Sequence, residues 1–173
     1  MATYPQILAG QRITAGLLTS MQPQQFWKTT NTDRASTTTV TDDPDLTATL
    51  EANATYRIIF RLHYAAIDAA RFKTQWRVPS GASGTRTAVG PDQGVILSST
   101  SSGGTGRWGV HGFTTACTYG TRDNAGNLCS AVEEAVVTTT SSGVLAIQWA
   151  QATASTTATR LGSGSSLFVE RLA

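Results

Sequence analysis

The stretch of residues 55–64 constrains the fold of this chain more than any other part of the sequence. Its side chains fall into two alternating sets. One set is Tyr56, Ile58, Phe60, Leu62 and Tyr64; the other is Arg57, Ile59, Arg61 and His63. A period of two is typical of a β-strand that turns one face to a core and the other to solvent. The stretch therefore predicts a long, half-buried strand.

Residues 71–78 repeat this pattern. The inward set is Phe72, Thr74, Trp76 and Val78, and the outward set is Arg71, Lys73, Gln75 and Arg77. If the two strands lie in the same sheet, their outward sets form one basic, solvated face. We therefore expect a basic face on one sheet.

Turn chemistry divides the rest of the chain into short strands. Residues 42–45 read Asp-Asp-Pro-Asp and residues 79–84 read Pro-Ser-Gly-Ala-Ser-Gly, both typical of turns. Roughly eight to ten strands follow at spacings of about 8–12 residues, with no alternation of strands and helices. The pattern predicts an all-β fold: a single antiparallel β-sandwich or jelly-roll-like domain at residues 36–173, beginning with a β-branched strand at residues 36–41.

The first 35 residues differ from the rest and predict an N-terminal docking arm, helical or extended. Thr14 is placed to cap a short helix. The apolar residues of this segment are Ile13, Leu17, Leu18 and Met21 on one helix face, followed by Phe26 and Trp27. A helix this short is not stable alone. It must pack on its own sandwich, on a sister subunit or on another protein, and the sequence leaves these open.

Charge and hydropathy exclude several classes of partner. The net charge is only +2, whereas nucleic-acid binding requires a concentrated basic face. No apolar run is long enough to span a membrane, and residues 1–11 lack the basic and apolar parts of a secretory signal. We expect no nucleic acid, no membrane and synthesis in a cytosol.

Histidines and serines do not form a recognisable catalytic pattern. His63 falls on the polar face of a strand, and His111 lies between glycines. No serine lies in a G-x-S-x-G turn. A triad also needs a base held by a carboxylate, and nothing in the sequence indicates one. We predict no catalytic residue and no enzyme activity.

The acidic residues favour structural roles. Glu133 and Glu134 are adjacent, so they face opposite sides of a strand and cannot act as a glycosidase pair. The aspartates of residues 42–45 are better explained by a turn than by calcium, which requires six to eight oxygen ligands. We predict no metal and no cofactor. Cys117 and Cys129 form either a disulfide or two thiols.

The four tryptophans separate into core and surface residues. Trp76 and Trp149 lie on the apolar faces of strong strands and are predicted to be core. Trp108 borders a Ser/Gly-rich loop at residues 98–106 and is the candidate glycan contact. We expect this loop and the polar loop at residues 122–127 to be exposed.

Five motifs carry a family resemblance. They are LAGQRITAGLLTSM at residues 8–21, EANATY at 51–56, WRVPSGASG at 76–84, IQWAQ at 147–151 and VERLA at 169–173. Together they resemble a family of small virion-associated structural proteins of actinobacterial tailed phages and prophages, of minor capsid, decoration or minor tail type. The resemblance covers nearly the whole chain and implies no active-site residues.

The resemblance implies a non-enzymatic virion protein, assembled in the host cytoplasm and docked on other virion proteins by its arm. Such proteins usually form symmetric oligomers, often homotrimers. Capsid decoration and a minor tail position both fit. The alternative is a carbohydrate-binding module of a tail fibre that recognises a host cell-surface glycan.

Overall fold

The computed structural model describes residues 7–20, 22–97 and 106–173. The predicted loop at residues 98–106 lies almost wholly outside this part of the chain. The described elements are α1 (Ala15–Ser20), β1 (Gln24–Trp27), β2 (Thr32–Arg34), β3 (Thr41–Leu50), β4 (Thr55–Ala66), β5 (Phe72–Arg77), β6 (Arg86–Pro91), β7 (Gly106–His111), β8 (Cys117–Tyr119), β9 (Asn124–Thr138), β10 (Gly143–Gln151), β11 (Thr159–Leu161) and β12 (Ser166–Arg171).

The strands form two antiparallel sheets. The larger sheet has eight strands, in the order β1-β12-β4-β9-β6-β7, with β11 beside β4 and β2 beside β11. The smaller sheet has four strands, in the order β3-β10-β5-β8. One apolar cluster, with members from both sheets, fills the interior. The all-β, antiparallel sandwich predicted from the sequence is confirmed.

Alternation along β4 positions the core. Tyr56, Ile58, Phe60, Leu62 and Tyr64 are buried, as predicted. Burial of one large apolar side chain is worth about 1.5–3 kcal/mol, so this strand contributes a substantial part of the core. Trp76 on β5 and Trp149 on β10 are also buried, which confirms their predicted place in the core.

The prediction of one basic sheet face is wrong. β4 belongs to the eight-stranded sheet and β5 to the four-stranded sheet, so their outward residues face opposite sides of the molecule. Residues 67–71 carry the chain between the sheets in a tight turn, in which Arg71 has a φ of 54° and its N–H donates to Ile67 O at 2.9 Å. Alternation tells which residues point inward, but it does not tell to which sheet a strand belongs.

The predicted turn at residues 42–45 lies inside a strand. β3 pairs with β10 on both sides of it, but the register shifts: Thr47 lies opposite Ala146, and Asp42 lies opposite Gln148. The extra residues form a bulge, which accommodates Pro44 without interrupting the sheet. The predicted strand at residues 36–41 is not formed except at its last residue, where β3 begins.

Two strands of the sandwich come from the segment that the sequence assigned to the arm. β1 pairs with β12, and β2 pairs with β11. Between them, Lys28 is fully buried; its Nζ lies 3.0 Å from Asp43 Oδ1 and 2.7 Å from Asp45 Oδ2. The carboxylates that suggested a calcium site therefore have a lysine ammonium as their counter-ion. Residues 24–34 are part of the sheet rather than of a separate arm.

Candidate functional site

The N-terminal segment, residues 7–20, presents apolar side chains to solvent. Its helix begins as predicted, with the Leu17 N–H donating to Thr14 Oγ1 at 3.2 Å. Ile13 is 58% exposed and Leu18 is 53% exposed. Six helical residues cannot hold such a conformation alone in water. The segment therefore carries apolar surface that its own sandwich does not cover.

The remaining predicted docking residues have different environments. Leu17 is half-buried, and Met21 lies outside the described residues. Phe26 packs against the core of its own sandwich, because β1 is paired with β12 and Phe26 points inward. Trp27, the next residue, points outward and is 65% exposed.

The outward face of the eight-stranded sheet carries a second apolar surface, which we call the outer sheet face. Its apolar members are Trp27, Ile59, Val89, Trp108, Val110, Val132, Val136 and Phe168. Trp27 on β1 and Trp108 on β7 lie on the strands at the two ends of the main strand order, and Trp108 is 75% exposed. Sequence reasoning identified both tryptophans but did not predict that they share a face, since this depends on long-range strand pairing.

A groove of about 560 Å³ lies in this face, between β1, β12 and β4. Its lining includes Trp27, Phe168 and Ile59 together with Arg61 and Glu170. The lining therefore combines apolar contact with hydrogen-bonding groups.

The charged residues around the groove are not all paired. Arg57 Nε lies 2.8 Å from Glu134 Oε1 in a solvent-exposed ion pair. In the described part of the chain, the side chains of Gln25, Arg61 and Glu170 take part in no hydrogen bond or ion pair. They are available to an external partner.

A buried polar cluster joins the two sheets in the interior. Glu133 accepts hydrogen bonds from Thr74, Trp76 (2.5 Å), Arg86 and Tyr119 (2.8 Å). Burial, together with the neighbouring carboxylate, raises the pKa of Tyr119 far above its usual range, so its phenol remains a donor. The side chains of Glu133 and Arg86 are both fully buried and have no contact with solvent, so this cluster is structural.

The structure gathers no catalytic or metal-binding set among the residues that it describes. No group of three His, Cys, Asp or Glu side chains is arranged to hold a metal there. His63 and His111 lie in different strands, β4 and β7, and neither imidazole is hydrogen-bonded to a carboxylate within those residues. Glu133 and Glu134 face opposite sides of β9, as predicted.

Both cysteines are free and buried. Burial raises the pKa of the Cys117 and Cys129 thiols, so both remain protonated at neutral pH. Of the two alternatives left open by the sequence, the structure has thiols. Neither sulfur is a reactive nucleophile in this environment.

Comparison with known proteins identifies no family for this chain. No family model matches it, and no curated protein sequence matches it. No helix among residues 7–20, 22–97 and 106–173 is long and apolar enough to cross a membrane.

The solved structures with some similarity to this chain include three from viruses, and the similarity of each is low. The tripod from the baseplate of bacteriophage Tuc2009 has a TM-score of 0.40 and 9% identity, over 99% of this chain and 75% of that chain. A structure of infectious bursal disease virus, Gt strain, has a TM-score of 0.20 and 9% identity, over 87% of this chain and 40% of that chain. The VP2 subviral particle of the same virus has a TM-score of 0.19 and 11% identity, over 88% of this chain and 38% of that chain. Similarity this low does not bear on function.

Proposed function

We propose that this chain is a non-enzymatic structural protein of a phage virion, docked on other virion proteins through its N-terminal segment. The observation that carries the proposal is the exposure of Leu18 (53%) on a helix too short to be stable alone, together with that of Ile13 (58%) just before the helix. Contiguous apolar surface of this kind marks an interaction site.

The buried polar groups of the interior support a structural role. Glu133 is fully buried, and four side chains donate hydrogen bonds to it. A catalytic acid or base needs access to a substrate, and this carboxylate has none. The resemblance in the sequence motifs points the same way, since those motifs are structural.

Two positions on the particle fit the proposal: capsid decoration or minor capsid protein, and minor tail protein. Cryo-electron microscopy of intact particles, with a count of copies per virion, distinguishes them. Many copies at icosahedral positions identify a decoration protein, and a few copies at the tail identify a minor tail protein. Absence from particles would refute the proposal.

Docking by the segment is tested with an Ile13→Asp/Leu18→Asp double variant. We expect copies per particle to fall at least about tenfold, because charges replace buried apolar contacts in the docked state. Gln22→Asp is the matched control, since Gln22 is exposed and polar and lies close to the helix. Unchanged incorporation of the double variant, with a normal melting temperature, would show that the segment does not dock.

A second candidate function is glycan binding by a host-recognition module. The observation that favours it is Trp108, which is 75% exposed on an edge strand. Exposed aromatic rings have one apolar face free to stack. Isothermal titration calorimetry of host cell-wall glycan fragments with the wild-type chain and with the Trp108→Ala variant tests this function. Saturable binding that the variant loses would support it, and no heat change at millimolar glycan would exclude it.

A further inference from the structure

The part of the outer sheet face formed by β1, β12, β4 and β9 has the size and composition of a contact surface. Trp27 alone leaves on the order of 150 Å² in water. Phe168 and Ile59 are half-buried on the next two strands, β12 and β4, and on β9 Val132 is half-buried and Val136 is 53% exposed. Monomeric proteins rarely leave such contiguous apolar surface uncovered unless it binds something.

We propose that this face pairs with the same face of a second copy of the chain, around a two-fold axis that runs parallel to the strands between β4 and β12. Such an axis lays β4 of one copy over β12 of the other. Each residue on β4 then meets the partner's copy of its own cross-strand neighbour on β12. The register of the two strands therefore predicts the contacts.

That register is self-complementary. Ile59 lies opposite Phe168, Arg57 opposite Glu170 and Arg61 opposite Ser166. In the pair, Ile59 packs on the partner's Phe168. Arg57, which also pairs with Glu134 of its own chain, meets the partner's Glu170. Both contacts occur twice, once on each side of the axis, so that apolar meets apolar at Ile59 and positive meets negative at Arg57.

The groove provides a binding site for the partner's Arg61. The groove lies over β12 beside Trp27, and the two-fold axis brings the partner's Arg61 above Ser166, which lines the groove. A guanidinium there stacks against the exposed ring of Trp27, an attraction between a cation and an aromatic face. Neither Arg61 nor Glu170 has a side-chain partner among the described residues, and the pair supplies one for each.

The contact is of modest size. Four strands and three rows of outward residues cover about 20 Å by about 20 Å, which buries on the order of 1,000 Å² over both copies. This is the lower limit for a specific interface, so we expect a dimer with a dissociation constant in the micromolar range. The two-fold contact gives a dimer, whereas the sequence resemblance implied a trimer. It does not depend on where the N-terminal segment docks.

Sedimentation velocity over a concentration series tests the pairing, with two matched tryptophan variants. Trp27→Ser lies inside the proposed contact and is expected to weaken dimerisation about tenfold or more. Trp108→Ser lies on β7 of the same face but beyond the contact, and we expect no change. Both side chains are exposed, so neither variant should lower the melting temperature appreciably.

A charge-reversal experiment tests the register itself. Arg57→Glu and Glu170→Arg each place like charges together twice, so each variant alone is expected to be monomeric at concentrations where the wild type dimerises. Mixed in equal amounts, they form a heterodimer in which both pairs are again opposite in sign. Recovery of the dimer when the two variants are mixed requires that residue 57 of one copy contacts residue 170 of the other.

Three results would overturn the proposal. The first is a wild-type chain that remains monomeric up to about 0.5 mM, far above the expected dissociation constant; the face would then belong to a different protein. The second is a trimer, which a two-fold contact cannot build. The third is a mixture of the two charge variants that stays monomeric while each variant keeps the wild-type melting temperature.

Discussion

Glu133 and Glu134 are neighbours in the chain, yet they belong to two different regions of the molecule. Glu133 points into the sandwich, where four side chains donate to it and no water reaches it. Glu134 points to the outer sheet face, where it forms one solvent-exposed ion pair with Arg57. The same type of side chain thus joins the two sheets on one side of β9 and forms a solvent-exposed ion pair on the other.

This difference teaches how the chain separates stability from recognition. The inner polar groups are satisfied within the fold, and removing one leaves a buried charge uncompensated. The outer groups are screened by water and contribute little to folding. We therefore expect inner substitutions to change the free energy of unfolding and outer substitutions to change association.

The largest effect is expected from Glu133→Ala. Without the carboxylate, Arg86 is left as an unpaired buried cation, which costs about 3–5 kcal/mol of the free energy of unfolding. Urea denaturation followed by tryptophan fluorescence measures the loss. Glu134→Ala is the matched control and should change stability by less than about 1 kcal/mol. Equal losses in the two variants would refute the contrast.

Lys28→Met comes next in size. Methionine fills the same space but removes the ammonium bound to the buried Asp43 carboxylate, which then has only the nearby Arg34 to compensate its charge. We expect a loss of about 3 kcal/mol. Lys73→Met is the control, since among the described residues Lys73 Nζ donates only to the backbone oxygen of Thr38 at the surface. A Lys28→Met variant as stable as this control would mean that the buried lysine does not hold β1 and β2 on the sandwich.

Removal of the hydroxyl group from each of two buried tyrosines tests how much the inner hydrogen bonds contribute to stability. Tyr119 donates to the Glu133 carboxylate at 2.8 Å, whereas Tyr64 donates to the backbone oxygen of Gly120 at 2.5 Å. Hydrogen bonds to charged groups contribute more, so we expect about 2 kcal/mol from Tyr119→Phe and about 1 kcal/mol from Tyr64→Phe. Denaturant titrations of both variants test the order, and the reverse order would contradict it.

The smallest effect is expected at the surface, from Asp33→Asn. Two hydrogen bonds from Arg160, at 2.7 and 2.8 Å, hold the pKa of Asp33 below its ordinary value. A lowered pKa in the folded state stabilises the fold above the unfolded pKa of about 4, and this contribution is lost as the pH falls through the folded value. Because the pair is exposed, the variant should lose only about 0.2–1 kcal/mol at pH 7. The difference should vanish near pH 2; a difference that persisted there would mean that the charge is not its cause.

Local patterns predicted the elements of the fold, because alternation and capping depend on neighbours in the sequence. The buried set of β4, the Thr14 cap and the core positions of Trp76 and Trp149 were all predictable in this way. The place of Glu133 could have been predicted as well, since alternation aligns it with the inward residues Ala131 and Ala135. A carboxylate at such a position implies a buried partner.

Strand pairing was beyond sequence reasoning. The bulge in β3 and the insertion of β1 beside β12 depend on contacts between residues far apart in the chain. The same holds for the outer sheet face, which joins Trp27, Trp108 and Phe168 from three distant segments. The sequence singled out Trp27 and Trp108 as contact residues, but only the topology places them on one surface with Phe168.

The buried lysine has a mechanical consequence. β1 is four residues long and connects the N-terminal segment to the sheet, and Lys28 follows it directly. A pull on the segment would peel β1 from β12 one hydrogen-bonded pair at a time, which takes little force. The peeling would stop at Lys28, whose ammonium is fixed between Asp43 and Asp45 on the opposite sheet. Lys28 would therefore transfer tension on the N-terminal segment to both sheets at once, and the core would remain closed.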